Sequence, residues 1–359
     1  MKLIDELMKI LIKNSRSSPV HNCILYLNNP KNNSNYKGAF GKMNVSGGNV
    51  NHNTCFRTGS ITKTFTATII MQLMEENVLS LDDYFLDILN ETNRKFLKEL
   101  LIFEGINYSN EITIKSLLQH RSGIRDYFTD DDRFFNHVMK FPFQSWGWKT
   151  IMQKYFEYNL NDKGVFQPGK GFYYSDTNYL LLAFLIEELS NMPFHEVLEK
   201  RILKPLSLND TYLEFYQERK GSTPIVFPFY GSNNLKNINS SFDWGGGGLI
   251  SSVNNLDVFI RALLAGKLFN KFETLKLMTN FDDENSINII SKKVRNVYAL
   301  GLQQKKIGAY NFIGHNSAYG GMMFYDLNSD LSIIFSINQA SSTHKAEWLI
   351  KKLAEGFIS

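Results

Sequence analysis

The segment FRTGSITKTFTATIIMQLMEE, Phe56 to Glu76, constrains this chain more than any other. Its apolar residues, among them Ile61, Phe65, Ile69, Ile70, Leu73 and Met74, fall all round a helical wheel rather than on one stripe, which predicts a buried helix. Between Arg57 and Glu75 the only charged residue is Lys63. An unpaired ammonium inside an apolar helix is costly unless it finds a partner or loses its proton. Residues three apart share a helix face, so Lys63 is expected against Ser60. A helix N-terminus favours negative charge, and a neutral amine there can take a hydroxyl proton, so Ser60 and Lys63 read as a nucleophile with its base. Gly59 lets the backbone approach closely. The bland alternative is that Ser60 caps the helix and Lys63 snorkels outward.

At 359 residues with 43% apolar content, the chain can fill a large core. The formal charge of +4 is dispersed, with no basic block to suggest a nucleic-acid partner. Cys23 and Cys55 form no metal-spaced pair and read as buried thiols, and the seven histidines show no metal-binding spacing. No metal or other cofactor is expected. GSITKT lacks the glycines of a phosphate loop, having Thr62 and Arg57 at those positions, and WGGGGL lacks the surroundings of a dinucleotide fingerprint.

The N-terminal stretch sets Ile4, Leu7, Met8 and Leu11 on one face of an amphipathic helix rather than in a signal sequence. No run reaches the ~18 apolar residues of a membrane span. If Met1 is the native start, the expected location is the cytoplasm; a removed signal peptide would make it periplasmic or secreted. NCILYLN and YKGAFGKMN read as strands around a turn at Pro30 to Asn35, NTCFRTG as a lead into the buried helix, and the region from about Leu79 to Leu213 as mostly helical. From FDWGGGGLISS the chain turns back toward strands: VYALGLQQ, YNFIGHN, GGMMFYDLN and LSIIFSINQ, closed by the helix HKAEWLIKKLAEGFI. The tight Asn328-Ser329-Asp330 connection demands antiparallel pairing, and both chain ends are expected in one sheet. The expectation is one α+β domain over residues 1–359, with a sheet lobe of about 1–78 and 240–359 and a helical lobe of about 79–239.

FRTGSITKTFTA resembles the S-x-x-K segment of the serine β-lactamase and penicillin-binding-protein superfamily. PGKGFYYSDTNYLLLAFLIEEL is similar to the Y-x-N motif of its class C β-lactamases and D-alanyl-D-alanine carboxypeptidases, with Tyr174 at the tyrosine and Asp176 where asparagine is usual. IGHNSAYGGMMFYD resembles the third motif, K-T-G or H-x-G, with His315 first and Ser317 in place of glycine. LLQHRSGIRDY, KPLSLNDTYL and WGGGGLISSVNNLDVF match further family segments in order.

The resemblance implies a β-lactamase/transpeptidase-like fold, an antiparallel sheet flanked by the terminal helices and interrupted by a helical insertion. It implies a serine hydrolase acting through an acyl-enzyme on a small-molecule or peptide amide or ester. Ser60 would attack, Lys63 and Tyr174 would manage protons, and the backbone N–H groups of Ser60 and Ala318 would hold the oxyanion. His315 would orient a substrate carboxylate or Tyr174, unless it is simply a core histidine. Tyr174 has a plain reading as a core aromatic. Asp176 either joins the site or caps the helix starting near Thr177. Ser317 is expected to narrow the groove, since glycine there normally lets substrate lie against the strand. A true β-lactamase and a non-catalytic binding protein of the same fold are the alternatives.

Overall fold

The computed structural model describes residues 2–13, 19–43, 47–219, 222–281, 297–340 and 342–357. Helix α1 (Lys2–Lys13) leads into strands β1 (Asn22–Asn29) and β2 (Ser34–Gly41), which pair antiparallel from Asn22↔Gly41 to Asn29↔Ser34. Pro30 opens the turn between them, the Asn29 side chain accepts from the Asn32 amide, and Asn33 takes the left-handed conformation at φ 47°. Strand β3 (Cys55–Arg57) then runs into α2 (Thr62–Glu75), the expected buried helix. Helix α3 (Asp176–Ser190) is buried continuously from Thr177 to Ile186.

Short strands β4 (Tyr212–Leu213), β5 (Ile225–Val226) and β6 (Leu249–Ser251) join β3 in a small sheet ordered β4-β6-β3-β5. Helix α4 (Val253–Leu264) follows. The chain then enters β7 (Val297–Tyr298), β8 (Gln303–Ile307), β9 (Tyr310–Asn316), β10 (Gly321–Asp326) and β11 (Leu331–Ser336) before the closing helix α5 (Thr343–Phe357). Ile358, the last residue of the expected closing helix, lies outside the described residues.

The principal sheet is antiparallel in the order β7-β8-β9-β10-β11-β1-β2, so strands from the two chain ends meet at β11 and β1, with Ile24 opposite Ser336. Successive residues of a strand point to opposite faces. In β1, Cys23, Leu25 and Leu27 pack with Ile4, Met8, Leu349 and Ile350 of α1 and α5, while Ile24 and Tyr26 enter the larger core that contains α2, α3 and α4. The sheet is therefore covered on both sides. Phe65 of α2 stacks on Phe259 of α4, ring centroids 3.5 Å apart. Both cysteines are free and buried, and burial pushes each thiol up to about 12. Among the described residues no helix is long and apolar enough to cross a membrane.

The run FDWGGGG differs from the expected strand: Trp244–Gly247 is a helical turn, and only Leu249–Ser251 extends. The cause is close packing. A Cβ on Gly245 would lie 2.2 Å from the Ala183 Cβ of α3. On the α2 side, the Thr66 hydroxyl donates to the Gly245 carbonyl at 2.6 Å. Only a chain without side chains fits with its backbone against both helices.

Candidate active site

Between β3 and α2 the chain makes one tight turn, Gly59–Ile61, which delivers Ser60 half-buried at the start of α2. Gly59 sits at φ +53°, and a Cβ there would meet the Ser317 hydroxyl at 2.2 Å. Both backbone conformation and space therefore require glycine beside the serine.

Lys63, one turn later, is fully buried and reaches back to Ser60, with Nζ 3.1 Å from Oγ. It also donates to the Gly246 carbonyl at 2.7 Å and pairs with Asp176 Oδ1 at 2.5 Å. Burial alone would strip its proton. The Asp176 carboxylate and then Tyr174 outweigh that pull, leaving the Lys63 pKa above its ordinary value. The neutral lysine expected from an apolar helix is therefore corrected: in the free protein Lys63 is an ammonium, because its partner arrives from another helix.

That partner is no helix cap. Ser175 occupies the N-cap position of α3, and Asp176 is the first helical residue with its carboxylate turned to Lys63. The Asp176 amide donates to Asp126 Oδ2 at 2.6 Å, and Asp126 Oδ1 also accepts from the amides of Phe128 and Thr129. Asp126 thus pins the start of α3, and burial together with the Asp176 charge pushes its own carboxyl up to about 7.

Tyr174 lies over Lys63, whose Nζ is 5.2 Å from its ring centroid. Burial raises the phenol to about 12 against the pull of the Lys63 charge and of hydrogen bonds with Ser60 and Lys63. His120 holds this tyrosine in place. Its ring lies 4.2 Å from that of Tyr174, and Nδ1 accepts from the Ser175 amide at 3.1 Å.

His315 is on β9 and fully buried. Nδ1 donates to the Asn316 carbonyl at 2.6 Å, which leaves Nε2 to accept from the Tyr298 hydroxyl at 3.1 Å. Burial, then the Lys63 charge, lowers its pKa to about 3, so the ring is neutral. A neutral imidazole with both nitrogens occupied has no charge to offer a substrate carboxylate; it packs 6.3 Å from the Tyr174 ring instead.

Ser317 does not narrow the groove. Its hydroxyl accepts from the Tyr319 amide at 3.0 Å and faces the bare Cα of Gly59, which fixes the turn from β9 to β10 against the serine-bearing turn. Ala318 lies in that turn, beyond the end of β9, and is exposed.

Ser60, Asp176 and Ala318 line one cavity of about 360 Å³. Its walls include Tyr127, Phe128, Phe135 and Phe242, and its charged groups include Arg57 and Asp243. Sequence reasoning missed Asp126, Asp243, His120, Tyr298 and Arg57 as members of the site. Asp126 and His120 lie within LLQHRSGIRDY and Asp243 adjoins the glycine run, so those segments carried a signal; Tyr298 carried none. The arrangement supplies a hydroxyl against a lysine ammonium, a phenol beside both, and a cavity that admits a carbonyl compound.

A family model described as Beta-lactamase matches residues 28–355. Penicillin-binding protein 4* of Bacillus subtilis is 30% identical over 183 residues, covering 50% of this chain and 34% of that protein. An unguisins hydrolase of Aspergillus campestris is 24% identical over 234 residues, covering 63% of this chain and 41% of that protein. The chain thus spans less than half the length of these two curated relatives. Among solved structures, D-amino acid amidase from Ochrobactrum anthropi SV3 superposes with a TM-score of 0.77 at 18% identity, covering 100% of this chain and 99% of the other.

Proposed function

The chain belongs to the Beta-lactamase family, and we propose that it is a serine hydrolase cleaving an amide or ester bond through an acyl-enzyme on Ser60. The observation that carries this reading is the Lys63 Nζ held 3.1 Å from Ser60 Oγ at the edge of the cavity. The relatives' names point the same way, one being a hydrolase and another an amidase. The substrate is a small molecule or peptide, handled by the sheet and helical lobes as one catalytic domain.

In the free protein the proton sits on Lys63. The Asp176 side chain is 28% exposed, against 1% for Lys63. A substrate in the cavity covers that carboxylate, and removing water from the pair favours its neutral form. The proton then passes from Lys63 to Asp176, leaving a free amine against Ser60. The amine takes the Oγ proton as Oγ bonds to the substrate carbonyl carbon, and the oxyanion is held by the backbone N–H groups of Ser60 and Ala318. Tyr174 passes its proton to the amine or alcohol as the bond to the carbonyl carbon breaks and recovers one from the Lys63 ammonium; water then adds to the acyl carbonyl, giving a proton to the Lys63 amine, and that proton returns to Ser60 Oγ as the ester bond breaks.

The test is covalent labelling. A fluorophosphonate, a fluorescent penicillin and a p-nitrophenyl ester are each incubated with the protein, and the modified residue is located by mass spectrometry. An adduct on Ser60 that is absent from Ser60→Ala is the expected result. Labelling that persists in that variant removes Ser60 as the nucleophile.

A further inference from the structure

The charges around the cavity do not balance. Arg57 is fully committed, with Nε 2.7 Å from Glu214 Oε2, a second bond to Oε1, and bonds to the carbonyls of Leu235 and Ile238. Lys63 and Asp176 neutralise each other. Of the two lining carboxylates left over, Asp132 is exposed to solvent and Asp243 is half-buried. Asp243 Oδ2 accepts from the Tyr319 hydroxyl at 2.6 Å, a neutral donor, and among the described residues no lysine, arginine or histidine forms an ion pair with it.

Asp243 is also kept uncovered. Gly246 and Gly247 line the same cavity, and a Cβ on Gly247 would lie 3.2 Å from Asp243 Cβ and 3.5 Å from Oδ1. The glycine leaves that carboxylate open to a ligand. The cavity also has apolar walls, with Phe128, Phe135, Val138 and Met139 among the lining residues.

Resting on the hydrolase reading above, we infer that Asp243, positioned by Tyr319, binds a free ammonium on the substrate, whose apolar side group lies against Phe128 and Phe135. The substrate class is then an amide or ester of an amino-acid-like acid with an unblocked amine. Asp176 is the weaker candidate for this reader because the Lys63 ammonium on its Oδ1 already balances its charge. Burial, and then the Asp176 charge, push the Asp243 carboxyl up to about 7 against the Tyr319 hydrogen bond and the charges of Arg57 and Lys63, each of which is ion-paired with another carboxylate. A bound ammonium supplies the missing charge, and a charge-assisted hydrogen bond out of bulk water is among the stronger polar contacts.

The test compares phenethylammonium with 2-phenylethanol by calorimetry at neutral pH. Wild type is expected to bind the cation at least about tenfold more tightly, a ratio typical of a hydrogen bond to a charged group. Ser60→Ala should keep that preference and Asp243→Asn should lose it. In turnover, the wild-type preference for phenylalaninamide over N-acetylphenylalaninamide should collapse in Asp243→Asn. Equal binding of cation and alcohol by wild type overturns the inference whether or not the variant folds, as does a variant that retains the preference. Failure of Ser60 to acylate, with the ammonium preference intact, would instead sink the hydrolase reading and leave the cation site standing.

Discussion

Asp176 on the first turn of α3 and Lys63 on the first turn of α2 form an ion pair at 2.5 Å, with the lysine end enclosed and the aspartate end open to the cavity. The pair sets the protonation of the proposed base, and its asymmetric exposure lets a ligand change that setting. Removing the carboxylate leaves burial as the dominant influence on Lys63, and burial favours the neutral amine. Asp176→Asn should therefore move the acidic limb of the kcat/KM profile for a p-nitrophenyl ester to lower pH by about one unit or more, the usual effect of losing one close opposite charge. Superimposable profiles would show that the pair does not govern the base.

Lys63→Ala should abolish acylation and also lower stability. The lost ammonium leaves Asp176 without its partner and the Gly246 carbonyl without its donor. Breaking a fully buried pair costs ~3–5 kcal/mol, and the partial exposure of Asp176 brings the expectation down to about 2–3 kcal/mol. Lys63→Ala/Asp176→Asn should recover part of that loss in denaturant unfolding. A double variant no more stable than Lys63→Ala alone would place the cost in packing rather than in the stranded carboxylate.

How much of this was legible depends on reach along the chain. Ser60 and Lys63 are three residues apart on one helix, so local geometry alone brings them together. The alternating strands and the buried α2 were equally local. Tyr174 was reachable only through its motif, and the charge on Lys63 was misread because Asp176 comes from a helix more than a hundred residues away. Ser317 was misread for a different reason: sequence gives the side chain but not its direction, which the left-handed Gly59 and the turn at Tyr319 decide. Tyr298 lies in a stretch that reads as plain strand, and only the folded sheet brings its hydroxyl to His315.

Gly59 and Ser317 should be energetically coupled. Gly59→Ala places a Cβ in a left-handed backbone, which costs about 1–2 kcal/mol, and drives it into the Ser317 hydroxyl. Ser317→Ala removes the bond to the Tyr319 amide, worth about 1 kcal/mol. Because it also clears the obstruction, the double variant should lose less stability than the two single losses combined. The ratio of large to small ester turnover should be the same in Ser317→Ala as in wild type, since that hydroxyl faces Gly59. Simple additivity, or a shifted ratio, would place the Ser317 side chain elsewhere.

His315 should stay neutral throughout the working pH range. Its folded pKa of about 3 lies below the ordinary imidazole value of 6.5, so below pH 6.5 the unfolded chain takes up a proton that the native state refuses. Native stability is therefore lost on this account as pH falls from about 6.5 toward 3, and His120, also lowered by burial, acts in the same direction. Asp126 and Asp243 act oppositely: both are raised to about 7 from 3.8, so the native state holds protons that the unfolded chain has released, and their contribution is lost as pH rises through that interval. The two pairs offset each other between about pH 4 and 6.5, which predicts a shallow stability profile there. His315→Gln removes one member of the first pair and should tilt the profile toward greater relative stability at the acid end. Nuclear magnetic resonance of the His315 ring carbon should show no titration between pH 8 and about 4 in the wild type. A midpoint near 6.5 would mean that the ring is solvated and free to carry charge, and would restore it as a candidate for binding a substrate carboxylate.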